Sequence, residues 1–391
     1  MWLSPELEFI SNVLNLSLKP DHAHSEGKIS PVKNINWDRF IPLVNHHRVG
    51  GLLFYWIRNL KLGNTVPPHV YKKLKDIYES YSNVWENHGQ VLKKILVGCH
   101  EREMDVILLK GAQLAQSNYP ERPLRPIEDI DLLVRQSDRS KVIKFMLEMG
   151  FNLYETNQTC DKFFIRTISE RGREKRDKPI FIEVHSNLQT PIRLDRSFSI
   201  DVQDCWNLGQ EKTVAGLPVL QLCPMDNLIY LCAHLSHHHF SRLIWIYDVA
   251  LHIQQCKGEI DWEKLEDMGA TMRIKGLLYH SMSLCREFFQ IPTSEETLQD
   301  FAPSWWRREM VHFLIGKNLC FPERYRIGHF SQSLIKPLLI DNWMDAIMWF
   351  LFPTKEWLKK QYSLRSNHEV YPYYCLHPIL YLTKAIRNAK K

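Results

Sequence analysis

The sequence has few of the features that define disulfide-rich, zinc-ribbon or membrane proteins. Its nine cysteines are scattered, odd in number and form no C-x-x-C pair, which argues against a disulfide framework and indicates reduced thiols in a cytoplasmic protein. No stretch approaches the roughly 20 apolar residues that a membrane helix needs. Residues 1–6 carry no basic segment before an apolar run, so no signal peptide is expected.

Repeats, low-complexity tracts and a strong charge imbalance are also lacking. The formal net charge of +6 is compatible with an anionic small substrate but too small to indicate nucleic-acid binding. The apolar fraction of 45% and the aromatic fraction of 12% can fill sizeable cores. A length of 391 residues favours two or three domains.

The alternation of acidic and apolar residues at 128–134 is the most informative pattern present. On a β-strand, Asp129 and Asp131 project to the same side, while Ile130 and Leu132 face the core. Two like charges held side by side repel each other unless a cation neutralises them. Because carboxylates are the ligands that Mg²⁺ prefers, the pattern predicts a divalent-cation site.

A third acid, Glu183, lies in the β-branched and aromatic run 179–185, which is typical of a strand. An acid in so apolar a strand is costly to bury without a partner. The cost disappears if Glu183 meets the same cation as the two aspartates. The alternative is that Glu183 lies on the solvent face of an edge strand.

A strand-to-helix turn precedes the acid pair. The apolar run 106–109 ends at Lys110 and Gly111, and a helical pattern follows. Glycine permits a tight turn and close approach of a phosphate, and the N–H groups at a helix start favour an anion. Lys110 adds positive charge. Arg122 and Arg125 follow in the next loop; Arg125 is the better candidate for phosphate oxygens because it is closer to the acids, and exposed loop arginines are the alternative.

Together these segments resemble the DNA polymerase β-like nucleotidyltransferase superfamily, and more closely the uncharacterised nucleotidyltransferase family within it. The likeness rests on residues 109–115, 125–134 and 182–185 and extends to 235–248. It implies an α+β fold, with a small mixed-sheet core between helical N-terminal and C-terminal regions. It also implies nucleotide binding by Lys110, Gly111, Ala112 and Arg125, and catalysis and metal binding by Asp129, Asp131 and Glu183. Ala112 stands where many members have a serine, so a hydroxyl contact with the phosphates is missing.

The activity that the resemblance implies is metal-dependent transfer of a nucleoside monophosphate from an NTP to a hydroxyl, with release of pyrophosphate. ATP is the expected donor, two Mg²⁺ ions are expected, and Mn²⁺ is the alternative cation. The acceptor is expected to be a small molecule or a protein, because no long basic track with interleaved aromatics suits a polynucleotide. A kinase or NTP hydrolase that uses the same site, and a non-catalytic nucleotide-binding protein of the same fold, are the alternatives.

The chain is expected to comprise a helical region at 1–90, a catalytic core at 91–215 and a mostly helical region at 216–391. The charged run 170–178 predicts a solvated hairpin loop. The alternative is that Arg171, Arg173 or Lys175 reaches an anionic substrate.

Four histidines lie between residues 234 and 239. His234 and His238 have the i, i+4 spacing that can bind zinc. No third ligand is recognisable, however, and the glutamate of an H-E-x-x-H motif is absent. These histidines are therefore expected to pack, to form hydrogen bonds or to line the substrate cleft.

Overall fold

The fold is known from a computed structural model, which describes residues 3–18, 29–156, 160–165, 179–188, 200, 202–291, 293–320, 335–342, 344, 346, 353, 355–364 and 366–389. The charged run 170–178 lies outside the described residues. The hairpin loop, and the roles considered for Arg171, Arg173 and Lys175, therefore stay predictions.

Four helices precede the first strand: α1 (Pro5–Ser17), α2 (Trp37–His47), α3 (Gly50–Asn59) and α4 (Pro68–His100). α4 begins at Pro68, a position where a proline costs no hydrogen bond. Asn36 caps α2 by accepting hydrogen bonds from the N–H groups of the next turn.

The central part of the chain forms one seven-stranded mixed sheet. Its strands are β1 (Val106–Leu108), β2 (Asp129–Val134), β3 (Asn152–Thr156), β4 (Cys160–Ile165), β5 (Ile180–His185), β6 (Gln210–Val214) and β7 (Leu217–Gln221). The helices between them are α5 (Lys110–Ser117), α6 (Arg139–Glu148) and α7 (Val202–Asn207). The strand order is β3-β4-β5-β2-β1-β7-β6. β2 is parallel to β5 and antiparallel to β1, which is itself parallel to β7. The predicted α+β fold with a mixed sheet is confirmed.

Strands β6 and β7 were not predicted from the sequence. β7 contains Pro218, and a proline argues against a strand because it cannot donate to the ladder. Here Pro218 lies near the strand end and pairs with Thr213 of β6. β7 thus continues the sheet beyond residue 215, into the part of the chain expected to be mostly helical, and the three region boundaries stay a prediction.

The remainder of the described chain is helical: α8 (Pro224–His237), α9 (Leu243–Gln255), α10 (Trp262–Thr271), α11 (Lys275–Phe289), α12 (Glu295–Asp300), α13 (Trp305–Cys320), α14 (Lys355–Tyr362) and α15 (Asn367–Ala389). α8 begins at Pro224, a first-turn position that suits a proline. None of the helices in the described part of the chain has the length and apolar character that crossing a membrane requires.

The sheet separates two hydrophobic clusters. On one face, Ile130 and Leu132 of β2 pack with residues of α4 and α6, as the alternation in the sequence predicts. The other cluster joins the N-terminal helices to α8, α9 and α11. The acidic side chains of β2 lie on the face opposite Ile130 and Leu132, and helices α8 and α9 supply the other side of the cavity that they line. The core thus positions a polar surface between the sheet and the C-terminal helices.

Candidate active site

The three predicted carboxylates lie on one face of two neighbouring strands. Asp131 of β2 is directly opposite Glu183 of β5, and Glu183 is opposite Lys162 of β4. Asp129 lies two residues before Asp131 and therefore on the same face. Opposite residues in a sheet bring their side chains into contact, so the strand register alone assembles an acidic group from segments about 50 residues apart.

Asp131 is buried and held by two cationic groups. The Lys110 Nζ donates to its Oδ1 at 2.5 Å, and the His185 Nε2 lies 3.0 Å from the same oxygen. Burial opposes ionisation of Asp131, but the lysine and the histidine outweigh it and hold the pKa of this carboxyl well below its ordinary value. For His185, burial is likewise outweighed by its hydrogen bonds to Asp131 and its neighbours, which raise the pKa of the imidazole well above 6.5. Asp131 is thus an ionised carboxylate beside an imidazolium.

Asp129 has a different environment. The described part of the chain provides no hydrogen bond or ion pair to its carboxylate. Burial, followed by the negative charges of Asp131 and Glu183, raises the pKa of Asp129 to about 7. Repulsion among neighbouring carboxylates is the condition that a bound divalent cation relieves, so the donor set suits Mg²⁺.

Glu183 lies in the interior of the sheet, because β5 is paired on both sides. The alternative that it lies on an edge strand is therefore wrong. Lys162 Nζ lies 3.1 Å from its Oε1, and His185 Nε2 lies 3.5 Å from its Oε2. The hydrogen bond with His185 is the main cause that lowers the pKa of Glu183. This carboxylate is ionised and held between two cationic neighbours.

One group of metal-ligating side chains in the described residues has donor atoms within 4.8 Å of one another: Cys160, Glu183 and His185. A thiolate and an imidazole suit a softer cation than Mg²⁺. The three carboxylates do not form such a group among the described residues, and Asp131 contacts Lys110 and His185 instead. Binding of one ion by all three therefore requires side-chain rotation, which their common face allows.

The turn between β1 and α5 is tightly packed. Lys110 has a φ of 47°, a left-handed conformation that is uncommon outside glycine. A Cβ on Gly111 would lie 3.0 Å from Ile127 Cγ2 and 3.3 Å from Arg125 Nη1. Gly111 therefore lines the cavity with backbone alone. Ala112 is buried in the core behind the turn and is not among the cavity-lining residues described.

Arg125 is buried and anchored by Asp248 of α9. Its Nε donates to both carboxylate oxygens of Asp248, at 2.8 and 2.9 Å, and its Nη2 lies 2.8 Å from Oδ2. The hydroxyl of Tyr119 donates to the same carboxylate at 2.7 Å. Burial opposes the charge of Arg125, but Asp248 outweighs it and raises the pKa of the guanidinium. Arg125 still lines the cavity, whereas Arg122 is not among its described lining residues.

The cavity between the sheet and the helices has a volume of about 450 Å³. Part of its helical lining, Arg48 and Tyr230, was not identified from the sequence, whereas Arg242, Ile244 and Trp245 belong to residues 235–248, to which the family resemblance extends. Arg48 follows α2 in the N-terminal region, which carried no recognisable motif. Arg48 could have been found only from the three-dimensional packing, because it does not lie beside a predicted site residue in the sequence.

The histidines of α8 line the same cavity, as one of the sequence-based interpretations predicts. The His238 ring stacks on Trp245 at a centroid distance of 4.4 Å and an angle of 25°. Burial lowers the pKa of His237 to about 4 and that of His238 to about 3. These rings are therefore neutral at pH 7. The pair His234 and His238 packs edge to face, with centroids 4.6 Å apart, and belongs to no cluster of three metal-ligating side chains in the described part of the chain.

A strand-to-helix turn followed by carboxylates on adjacent strands is the arrangement expected of a nucleotidyltransferase. The sequence profile of the uncharacterised nucleotidyltransferase family matches residues 33–290. The chain belongs to this family, which confirms the resemblance inferred from the motifs and makes the protein a transferase. The match includes Arg48 and extends through α11.

No curated protein matches the chain. The solution structure of the antibiotic-resistance factor ANT(2'')-Ia is similar at 17% identity over 51% of this chain and 96% of that one, with a TM-score of 0.33. An antigenic nucleotidyltransferase-like protein from Paracoccidioides brasiliensis shows 14% identity over 54% and 92%, with a TM-score of 0.37. JHP933 from Helicobacter pylori shows 12% identity over 63% and 96%, with a TM-score of 0.33. Likenesses this distant assign no role to any residue of this chain.

Proposed function

We propose that the protein transfers a nucleoside monophosphate from an NTP, with ATP the expected donor, to a hydroxyl of a small molecule or a protein. Pyrophosphate would be the second product. The observation that carries the proposal is the register of β2 and β5, which places Asp131 opposite Glu183 and Asp129 on the same face. Membership of a nucleotidyltransferase family supports the same reaction class.

Asp129, Asp131 and Glu183 would hold the divalent cation, with two Mg²⁺ ions expected and Mn²⁺ as the alternative. When bound, the ions would stabilise the charge on the attacking and leaving oxygens. The raised pKa of Asp129 supports this assignment, because it comes from burial and then from the negative charges of Asp131 and Glu183, which a bound cation would offset. His185 keeps Asp131 and Glu183 oriented through its Nε2.

The nucleotide phosphates would bind over the turn at Gly111. No side chain at this position separates the backbone from the cavity, and no side chain caps the N-terminus of α5, whose N–H groups favour an anion. Lys110 Nζ borders the same space. Arg125 would act through its charge and its contact with the turn, since Asp248 fixes its orientation. Ala112 would contribute its backbone only.

Reduced, cytoplasmic surroundings are part of the proposal. The eight cysteines whose side chains the structure describes form no disulfide. Most of them are buried, and burial raises the pKa of the Cys99 thiol to about 12 and that of Cys223 to about 11. Such thiols are poor nucleophiles, which argues against covalent chemistry by Cys99 and Cys223.

The test is pyrophosphate release with each of the four NTPs and Mg²⁺, in the presence of pooled hydroxyl-bearing acceptors. We expect Asp129→Asn, Asp131→Asn and Glu183→Gln each to lower the rate by at least about 100-fold. Asp105→Asn is the matched control, since Asp105 is an exposed acid paired with Arg135 outside the cavity. A fully active Asp129→Asn protein would overturn the site assignment.

Product analysis separates the proposal from its alternatives. A nucleoside diphosphate in place of pyrophosphate would identify a kinase or hydrolase that uses the same carboxylates. If neither product forms, calorimetric NTP binding decides: binding that needs Mg²⁺ and is lost in the aspartate variants supports the site. Absence of any NTP binding would indicate that the protein does not act on nucleotides.

A further inference from the structure

Two arginines from distant parts of the chain lie at one edge of the cavity. Arg48 ends α2, and Arg242 immediately precedes α9. Two hydrogen bonds join their segments: His46 Nε2 with the Ser241 carbonyl oxygen at 3.1 Å, and the Leu243 N–H with His47 Nδ1 at 3.3 Å. Because each arginine is next to one of these contacts, the N-terminal region holds Arg48 beside Arg242.

Both arginines line the cavity. Arg48 pairs with Glu128, a carboxylate that is 60% exposed, and the Arg242 guanidinium lies 4.8 Å from the centre of the Trp245 ring. Burial, and then the nearby charge of Arg242, lowers the pKa of Arg48. Adjacent guanidinium groups repel each other, and a polyanion between them removes that repulsion. Asp248 holds Arg125 in a buried ion pair, whereas the partner of Arg48 is a largely exposed carboxylate, so Arg48 exchanges its partner for an anion more readily.

This edge adjoins the proposed phosphate turn. Arg125 touches the turn at Gly111, and Arg48 is close enough to Arg125 and Asp129 for their charges to affect its own pKa. Ile244 and Trp245, in the first turn of α9, also line the cavity. The N-terminus of a helix of 13 residues thus faces the same space, and it adds a positive field that favours an anion.

We propose that Arg48 and Arg242 bind the terminal phosphates of the NTP at the edge of the cavity that adjoins the turn at Gly111. This inference rests on the proposed function. Guanidinium groups bind phosphate oxygens in a bidentate manner, and two of them at one edge would offset part of the charge of the leaving pyrophosphate. The N-terminal helices would then be part of the nucleotide site, and Arg48 would contact the substrate directly.

The experiment measures binding of inorganic tripolyphosphate, with Mg²⁺ present, by calorimetry. We expect Arg48→Met and Arg242→Met each to weaken binding about tenfold or more, because each variant removes a charged hydrogen-bonding partner of the phosphate. Arg58→Met is the matched control, because Arg58 is an exposed arginine of α3 that lies beside Phe54. Absence of tripolyphosphate binding by the wild type, or unchanged binding by both variants, would overturn the inference.

A second variant separates phosphate binding from a structural role of the Arg48–Glu128 pair. Glu128→Gln removes the same ion pair but leaves the guanidinium in place. If Arg48 binds phosphate, Glu128→Gln keeps or strengthens tripolyphosphate binding, while Arg48→Met weakens it. If the pair serves only the fold, both variants weaken binding alike, which would contradict the inference. Arg48→Lys, which keeps the charge without the bidentate geometry, should fall between wild type and Arg48→Met.

Nucleotide analogues then identify which phosphates of the substrate the two arginines bind. An ATP analogue with a methylene between the α- and β-phosphorus atoms should lose affinity in Arg48→Met by the same factor as tripolyphosphate, whereas AMP should be unaffected. Equal weakening of AMP would place the arginines at another part of the substrate and overturn the inference. Because these are binding measurements, they succeed or fail independently of the pyrophosphate-release assay that tests the proposed function.

Discussion

Arg125 and Asp248 form a buried ion pair that joins the loop before β2 to helix α9. Their side chains are only 7% and 2% exposed, and Trp85 of α4 donates its indole N–H to the Arg125 carbonyl oxygen at 2.9 Å. One residue therefore connects the N-terminal helices, the turn at Gly111 and the C-terminal helices. The pair fixes the distance between the carboxylates on the sheet and the helical side of the cavity.

Removing one partner of this pair should be strongly destabilising. We expect Asp248→Ala to lower the free energy of unfolding by about 3–5 kcal/mol, because the Arg125 guanidinium stays buried without a counter-charge. Urea denaturation measures the loss. The exposed pair Arg135–Asp105 is the control, and Asp105→Ala should cost less than about 1 kcal/mol. Equal effects of the two substitutions would show that the buried pair has no special role.

Charge repulsion between Asp129 and the neighbouring carboxylates should lower the stability of the metal-free protein. Burial and the charges of Asp131 and Glu183 raise the pKa of Asp129 to about 7, so at pH 8 its ionised carboxylate opposes folding in metal-free buffer. At this pH we expect Asp129→Asn to unfold at a higher urea concentration than the wild type. Its free energy of unfolding should be higher by more than about 1 kcal/mol. Adding millimolar Mg²⁺ should stabilise the wild type and have little effect on the variant. A variant less stable than the wild type without metal would contradict this account.

A methyl group at Gly111 should disturb the turn. The added Cβ would crowd Ile127 Cγ2 at 3.0 Å and Arg125 Nη1 at 3.3 Å. We expect Gly111→Ala to cost about 1–3 kcal/mol of stability and to weaken NTP binding in calorimetry. Gly89→Ala is the control in α4, where nothing lies within 4 Å of the new methyl. That substitution should stabilise the protein by about 0.5–1 kcal/mol, and a similar gain at Gly111 would exclude the crowding.

His47 should make the protein less stable in acid. Its Nδ1 accepts from the Leu243 N–H and its Nε2 lies 3.1 Å from the Leu319 carbonyl oxygen, an arrangement that suits the neutral ring. Burial, and then the charge of His46, holds the pKa of His47 well below 6.5. Below about pH 6.5 the unfolded chain therefore binds a proton that the folded chain does not, and stability falls as the pH decreases.

The measurement is the urea midpoint at pH 7.5 and at pH 5.5. We expect His47→Gln to be less stable than the wild type at pH 7.5 but to lose less stability between the two pH values. The pH dependence of stability that remains in the variant would come from other buried histidines. One is His252, because burial also lowers the pKa of its ring. Identical slopes for wild type and variant would rule out His47 as a source of the acid sensitivity.

Local patterns predicted much of the sheet and the acidic group. The alternation at Asp129 and Asp131 specifies which side chains share a face, since a strand has a period of two. The same period predicted Ile130 and Leu132 in the core. Strand β7 was missed because Pro218 argues against a strand, and its pairing with β1 depends on residues more than 100 positions away. The family, the fold class and the transferase class are confirmed, while the individual site roles remain proposals.

The positive side of the cavity was only partly predictable. Lys110 and Arg125 stand beside recognisable motifs and were identified, but the structure shows that Asp131 and Asp248 neutralise them. The pairing of Arg125 with Asp248 could not be deduced from sequence, because nothing in either local segment indicates the other.

By itself, then, the sequence determined which carboxylates share a strand face, and it predicted where the phosphate turn lies and that the thiols are reduced. Only the tertiary structure decided which cations surround those carboxylates. Arg48, Lys162 and Arg242 reach the cavity through strand pairing and helix packing. Such contacts join residues far apart in the chain, and they depend on how whole elements fit together rather than on any short-range periodicity. The charge balance of the site is therefore a property of the fold.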